Sequence, residues 1–551
     1  MGQQRLILSR AAIVNCPARA RAGATEATLW QFCFSVVLLL IHKVVIIKNF
    51  IGGETVMSLI QLMIGGAVVL LVCVASSKFL YRFGVPTLLI FLALGMLCGS
   101  DGLVGIYFDD YTVAREICSV GLVFIMFYGG FGTNWKVARP VAIPSILMST
   151  LGVVITAGLT GLFCFFVLKT TLLEGLLIGS VVGSTDAASV FSILRSRKLN
   201  LKGGLASLLE IESGSNDPIA YMLTLVVLTL MSSQGNDLGS IVVMLVSQVG
   251  FGLLIGFLLA IIAVAILRRF EFEIVGLYPI FVVGIAILSY ALSEFMGGNG
   301  YLSVYISGIV LGNSRILHKR SLVHFFDGIS WLMQIMLFFT LGLLAFPSKL
   351  PSIALFGILV SVFMIVVARP AATFSILSWF KVPFKSQLFV SWVGLRGAAS
   401  IVFAIFAVSQ AASSQIPIMN DIFHIVFFVA LFSVAVQGTL IPLFARKLGL
   451  VDETTSVLKT FNDYQEELGT KLLEYKVHEK SRWANQSLMD ANIPEEILVV
   501  MIRRGREVIV PRGSTVILPG DTLVLSGNDI EEQLRAQRRQ FEKSQKASKP
   551  Q

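Results

Sequence analysis

Residues 179–220 read GSVVGSTDAASVFSILRSRKLNLKGGLASLLEIESGSNDPIA. Two apolar runs flank a short loop carrying Arg195, Arg197, Lys198 and Lys202. Each run holds acids in its interior: Asp186 in the first, and Glu210, Glu212 and Asp217 in the second. The runs predict two antiparallel helices, and whether they lie in water or in lipid decides the fold. The rest of the chain answers that. Of 551 residues, 55% are hydrophobic and 14% charged, with a mean hydropathy of +0.82. A soluble domain carries roughly 25% charged residues, so this chain has too few charges to cover a water-facing surface. A soluble enzyme is excluded, as is a disordered or fibrous chain. The reading is an all-α polytopic membrane protein.

A spanning helix needs about 20 mostly apolar residues. Thirteen segments qualify, from 58–77 to 421–445. The quoted stretch supplies the fifth (174–194) and sixth (203–232); the eleventh is 351–369 and the twelfth 386–410. The loops between them alternate in charge. One set carries the basic loop above, Lys136 and Arg139, Arg268 and Arg269, Lys381 and Lys385, and Arg446 and Lys447; the other is acidic, with Asp101, Asp109, Asp110 and Asp237. Basic loops stay in the cytoplasm. The formal net charge of +10 therefore marks a cytoplasmic face and not a nucleic-acid surface, and the chain after 447 is cytoplasmic.

The ends differ in character. Residues 1–56 form an N-terminal extension whose apolar part is interrupted by His42, Lys43 and Lys48. It could form a marginal extra helix or a signal-like segment. A third reading is that it is not translated, since Gly52-Gly53-Glu54 matches the codon pattern of a purine-rich ribosome-binding site just ahead of Met57; on that reading Met57 is the expected natural start. Residues 57–447 form the transmembrane domain, 448–464 a linker, 465–530 a small cytoplasmic α/β domain and 531–551 a charged tail. Within 452–495 the chain is polar and helix-compatible. From 495 to 529, Val, Ile and Leu recur at period two between turns such as Pro519-Gly520-Asp521. The six cysteines form no CxxC pair and read as small buried hydrophobes.

A charge at mid-bilayer costs roughly 2.5–3.5 kcal/mol on insertion scales, so the acids inside the spans carry the chemistry. Asp186 lies about eight residues before the basic loop and Asp217 about fifteen after it, which brings both near the midplane at about 1.5 Å per residue. Ser213 and Asp217 share one helix face, as do Glu212 and Asn216, and Thr185 adds a hydroxyl. The set is an all-oxygen cluster of two or three carboxylates, hydroxyls and an amide, the ligand type that hard cations prefer. Gly183, Gly214 and Pro218 permit local breaks that free carbonyls. A carboxylate there holds a proton or a cation but not both, and Asp217 is the candidate for that shared site. Arg396, in the twelfth span, reads as the counter-charge to the cluster, with Glu212 or Glu294 as its partner. Structural ion pairs that lock helices together are the alternative reading.

These residues carry a resemblance. TDAASVF (185–191), ESGSNDP (212–218) and GLRGA (394–398), in that order, resemble the bacterial monovalent cation:proton antiporters related to the Na⁺/H⁺ exchangers, of the NhaP, cell-volume-regulation or potassium/proton type. The likeness spans about residues 58–446. It implies a thirteen-helix fold with inverted repeats, a homodimer in the plasma membrane, and no cofactor beyond the transported K⁺ or Na⁺ and H⁺. It implies cation or proton ligation by Thr185, Asp186, Glu212, Ser213 and Asp217. It also implies that Asn216, in place of a second Asp, marks electroneutral exchange serving pH, cation and volume homeostasis. Relatives often carry an acid in the third span able to pair with the arginine; here FYGGFGT (127–133) stands there. Residues 465–530 resemble the TrkA-C (RCK-C) regulatory domain. A dimerising module and a sensor of a small regulatory ligand both remain open for it.

Other classes fit less well. A cation channel gated by the cytoplasmic domain lacks a TVGYG-like filter. A membrane enzyme lacks HExxH or a convincing GxSxG. No phosphate-binding loop supports a pump or a dinucleotide site.

Overall fold

The computed structural model describes residues 59–80, 88–451 and 471–527, except 198, 233–237, 417, 419, 478–480, 482, 492, 494–496 and 506. The N-terminal extension, the expected start at Met57, most of the linker and the tail lie outside them. The chain divides into two compact units, 1–459 and 460–551.

In lipid every backbone N–H and C=O must be satisfied within its own segment or by protein, so the apolar runs become helices. In order these are α1 (Leu59–Leu80), α2 (Leu88–Cys98), α3 (Tyr111–Gly132), α4 (Trp135–Val167) and α5 (Leu172–Val181). Next come α6 (Ala187–Ser196), α7 (Leu205–Met231), α8 (Leu238–Arg269), α9 (Leu277–Phe295) and α10 (Gly300–Asn313). The unit ends with α11 (Lys319–Leu344), α12 (Pro347–Leu377), α13 (Phe384–Trp392), α14 (Ala398–Ser413) and α15 (Ile422–Lys447). Among the described residues, seven are long and apolar enough to cross a bilayer: α3, α4, α8, α9, α11, α12 and α15.

Four spans differ in detail from the sequence reading. The fifth is two helices, α5 and α6, unwound at 182–186; the break at Gly183 is as expected. The sixth is not broken: α7 runs unbroken through Gly214 and Pro218. The twelfth is also two helices, α13 and α14, separated by Val393–Gly397. The eleventh continues past 369 to Leu377, so Arg369 lies inside it.

A long helix, a broken pair and a second long helix therefore occur twice, as α4, α5/α6, α7 and as α12, α13/α14, α15. The first series starts on the basic face, at Lys136 and Arg139; the second starts on the acidic face, where Ser348 N–H donates to Asp101 Oδ2 at 3.3 Å, so the repeats are inverted. Without a hydrophobic driving force in lipid, helices associate by close backbone contact at small residues. A Cβ on Gly161 would lie 2.9 Å from Leu176 Cα, and one on Gly308 would lie 2.9 Å from Phe131 N. Those approaches seat α5 on α4 and α10 on α3. Below the breaks, Val190, Leu194, Leu208, Phe389, Val390 and Leu395 share one buried cluster that ties both broken pairs to α7.

In the second unit the described residues form a four-stranded antiparallel sheet of order β1-β4-β2-β3, with β1 Lys471–Lys476, β2 Ile497–Arg504, β3 Glu507–Ile509 and β4 Thr522–Gly527. A bulge between Val499 and Met501 offsets the β2–β4 register. Trp483, Ile502, Ile517, Leu523 and Leu525 fill its core. β1 falls in the stretch read as helix-compatible; its continuous pairing with β4, from Lys471↔Gly527 to Lys476↔Thr522, overrides the local preference.

Candidate functional site

The two breaks build the site. Unwinding exposes backbone groups that a helix would satisfy, and the two stretches satisfy each other. Asp186 N–H donates to the Leu395 carbonyl at 2.8 Å. Arg396 Nη1 donates to the carbonyls of Gly183 (2.7 Å) and Ser184 (2.9 Å), and Arg396 N–H donates to Ser433 Oγ at 3.1 Å. From α7, Ser213 Oγ donates to the Thr185 carbonyl and accepts from Ala187 N–H, each at 2.8 Å. The approach is tight: a Cβ at Gly397 would lie 2.6 Å from the Asp186 carboxyl carbon.

Half-helix ends supply fixed partial charges, positive at N-termini and negative at C-termini. Asp186 sits at the N-terminus of α6, where its Oδ1 accepts from Ser189 N–H (3.2 Å) and its Oδ2 from Ser189 Oγ (2.5 Å). Arg396 faces the carbonyl end of α5. Asp186 thus meets a helix end that favours negative charge, and Arg396 meets one that favours positive charge.

Asp217 is 8% exposed and accepts from Ser184 Oγ. One residue earlier, Asn216 Nδ2 donates to Thr185 Oγ1, while the buried Asn216 Oδ1 finds no hydrogen-bond partner among the described residues. Thr185 Oγ1 lies 3.4 Å from Glu212 Oε1. Glu212 itself is held elsewhere: Arg369 Nη1 and Nη2 donate to its two oxygens at 3.0 Å each. Among the described residues no three His, Cys, Asp or Glu side chains gather closely enough to hold a metal ion. The cluster is therefore not a set of three carboxylates; Glu212 is paired away, leaving Asp186 and Asp217 with hydroxyl, amide and backbone oxygens.

The reading of Arg396 is corrected too. Neither Glu212 nor Glu294 pairs with it. Glu294 Oε1 instead accepts from Gly300 N–H at 2.9 Å, at the start of α10. Arg396 braces carbonyls at the break, and the ion pair of the site belongs to Arg369. Sequence reasoning missed Arg369 by ending the eleventh span on it, although a lone arginine in the run VVARPAAT was the signal. It also missed Ser184 and Ser189, whose hydroxyls engage the two aspartates, and Asp327 of α11. Asp327 Oδ1 accepts from Tyr128 Oη at 2.8 Å, in the third-span stretch where an acid was looked for.

Comparison with known proteins adds to this geometry. Residues 66–447 match the family described as sodium/hydrogen exchanger, transmembrane, and residues 472–535 match the TrkA-C domain. The chain is 35% identical over 478 residues to the K⁺/H⁺ antiporter NhaP2 of Shewanella oneidensis, covering 84% of this chain and 80% of that one. It is 38% identical over 388 residues to the K⁺/H⁺ antiporter NhaP of Alkalimonas amylolytica, covering 70% and 66%. The structure of the sodium proton antiporter MjNhaP1 from Methanocaldococcus jannaschii superposes with a TM-score of 0.62 at 26% identity, covering 71% of this chain and 99% of that one.

Proposed function

The chain belongs to the sodium/hydrogen exchanger family, and from that premise we infer that it is a secondary antiporter exchanging a monovalent cation, K⁺ or Na⁺, for H⁺ across the plasma membrane. The protein is multi-pass, its described residues read as thirteen crossings in which α5/α6 and α13/α14 each count as one, and its TrkA-C domain is cytoplasmic. A channel gated by that domain finds no support in these relatives.

The observation that carries the mechanism is Asp217, a buried carboxylate held by one hydroxyl beside an unsatisfied amide oxygen, Asn216 Oδ1. An acceptor buried without a donor costs about 1–3 kcal/mol, and a bound cation relieves that cost. Thr185, Asp186, Ser213 and Asp217 supply the remaining oxygens. Glu212 acts by position: clamped by Arg369, it holds Thr185 and Asn216 in place. Asp217 takes a proton or the cation in alternation. If only the occupied site crosses between faces, exchange is obligatory. Asn216 in place of a second acid favours one proton per cation and hence electroneutral exchange. The K⁺ names of the NhaP2 and NhaP relatives favour K⁺, and a homodimer serving pH and volume homeostasis completes the reading. In its cytoplasmic domain, 465–530, dimerisation and the sensing of a small ligand stand as equal proposals.

Fluorescence dequenching in inside-out vesicles tests this. Added K⁺ or Na⁺ collapses an imposed pH gradient, with the same response under a clamped membrane potential. Asp217→Asn abolishes it. Full activity in that variant would falsify the assignment.

A further inference from the structure

The turn between α12 and α13, Ser378-Trp379-Phe380-Lys381-Val382-Pro383-Phe384-Lys385, presents aromatic rings to the surroundings. Trp379 is 86% exposed and Phe384 68%. The turn is built to hold them there. Lys381 takes a left-handed backbone (φ 54°), and Val382 N–H and Phe380 N–H both donate to the Leu377 carbonyl, closing the end of α12. Gln387 Nε2 donates to the Val382 carbonyl at 2.7 Å and its Oε1 accepts from Ser378 Oγ at 3.0 Å. Phe384 stacks on Phe374 with ring centroids 5.4 Å apart.

The depth of this turn follows from α12. At 31 residues the helix is about 45 Å long, more than the roughly 30 Å hydrocarbon core, so its C-terminal end reaches the headgroup layer. That end lies on the basic, cytoplasmic side. Lys381 and Lys385 are exposed there, and no acid occurs between Arg369 and Asn420. Tryptophan and phenylalanine beside lysines, fixed at headgroup depth in a run of sequence without acids, match a surface of anionic headgroups.

We propose that this turn is an anchor for anionic phospholipids of the cytoplasmic leaflet, and that it sets the resting position of the elements carrying the site. Arg369 lies eight residues back along α12, and Arg396 follows α13, so lipid grip on the turn bears on both arginines. Exchange then depends on the anionic lipid content of that leaflet. Only this last step rests on the antiporter reading.

The test uses the full chain in vesicles of phosphatidylcholine with and without phosphatidylglycerol, the acyl chains brominated near the headgroup. The emission of wild type minus Trp379→Phe isolates Trp379. It is expected to be quenched, and more strongly with phosphatidylglycerol. Lys381→Asn with Lys385→Gln is expected to weaken that preference about fivefold per lysine. Trp379 emission that bromolipid leaves untouched overturns the anchor, whether the ring meets water or is covered by protein. A preference for phosphatidylglycerol unchanged in the lysine variant overturns it as well. Phosphatidylglycerol is also expected to raise the exchange rate of wild type but not of the lysine variant; an equal rise in both overturns the coupling. Quenching needs no transport, so its failure is distinct from a failure of the antiporter reading.

Discussion

Arg369 and Glu212 form a bidentate pair across α12 and α7, both nitrogen–oxygen distances 3.0 Å and both side chains nearly sealed from solvent. This pair joins one helix from each inverted repeat. Its energetics are those of a buried ion pair: desolvation cancels most of the attraction, yet removing one partner strands the other charge. Arg369→Ala should therefore cost about 3–5 kcal/mol, read as a loss of thermal stability in detergent. Glu212→Gln combined with Arg369→Met should recover most of it. Exchange should stay impaired in the double variant, because Thr185 and Asn216 lose the fixed oxygen that they face. A double variant as unstable as Arg369→Ala would refute the pairing.

Gly397 tests the crossing by sterics alone. Its backbone (φ −117°, ψ −159°) suits any residue, so alanine brings no conformational strain. What alanine brings is a methyl carbon 2.6 Å from the Asp186 carboxyl carbon. Gly397→Ala should push the two breaks apart and cut the exchange rate by at least about tenfold, a barrier change of about 1.4 kcal/mol. Gly129→Ala, where a Cβ meets no neighbouring atom within 4 Å, is the control and should exchange at the wild-type rate.

The contrast between those residues shows what the sequence discloses. Asp186 and Asp217 were legible because charge is rare in lipid and costly, so position alone singled them out. The break at Gly183 was legible as a glycine beside an acid. The break at Gly394–Gly397 was not, since GLRG sits in an apolar run with nothing local to distinguish a kinked helix from an unwound one. It forms because Leu395 and Arg396 find their hydrogen-bond partners on the other repeat, a relation that no local pattern encodes. Arg396 was visible as a charge, but its partners are backbone carbonyls and carry no sequence signature. Strand β1 was missed for a similar reason: its pairing partner β4 lies far along the chain.

Ser184 offers a finer probe of the proposed ligand set. It holds Asp217 through its hydroxyl, and a hydrogen bond to a charged group is worth about 1.5–3 kcal/mol. Ser184→Ala should leave the fold intact but let the carboxylate swing. The cation concentration for half-maximal dequenching should rise by about tenfold or more, while the maximal response changes less. A variant with unchanged cation dependence would remove Ser184 from the site.

The cytoplasmic sheet carries a separate acid-sensitive lock. Arg504 Nε and Nη2 donate to Asp521 at 2.9 and 2.8 Å, and Leu518 N–H donates to the same carboxylate at 2.9 Å. The Arg504 hydrogen bonds hold the Asp521 carboxyl below the usual carboxylate range, against the opposing effect of burial. A lowered folded value stabilises the domain above the unfolded value of about 3.9, and that stability drains away as pH falls through the folded value. Acid should therefore open this domain below about pH 4. Trp483, buried in its core, reports the opening through the emission that Trp483→Phe removes. Asp521→Asn should lower the stability of the domain at neutral pH and flatten its acid dependence below about pH 4. An acid limb as steep in Asp521→Asn as in wild type would assign the transition to other carboxylates.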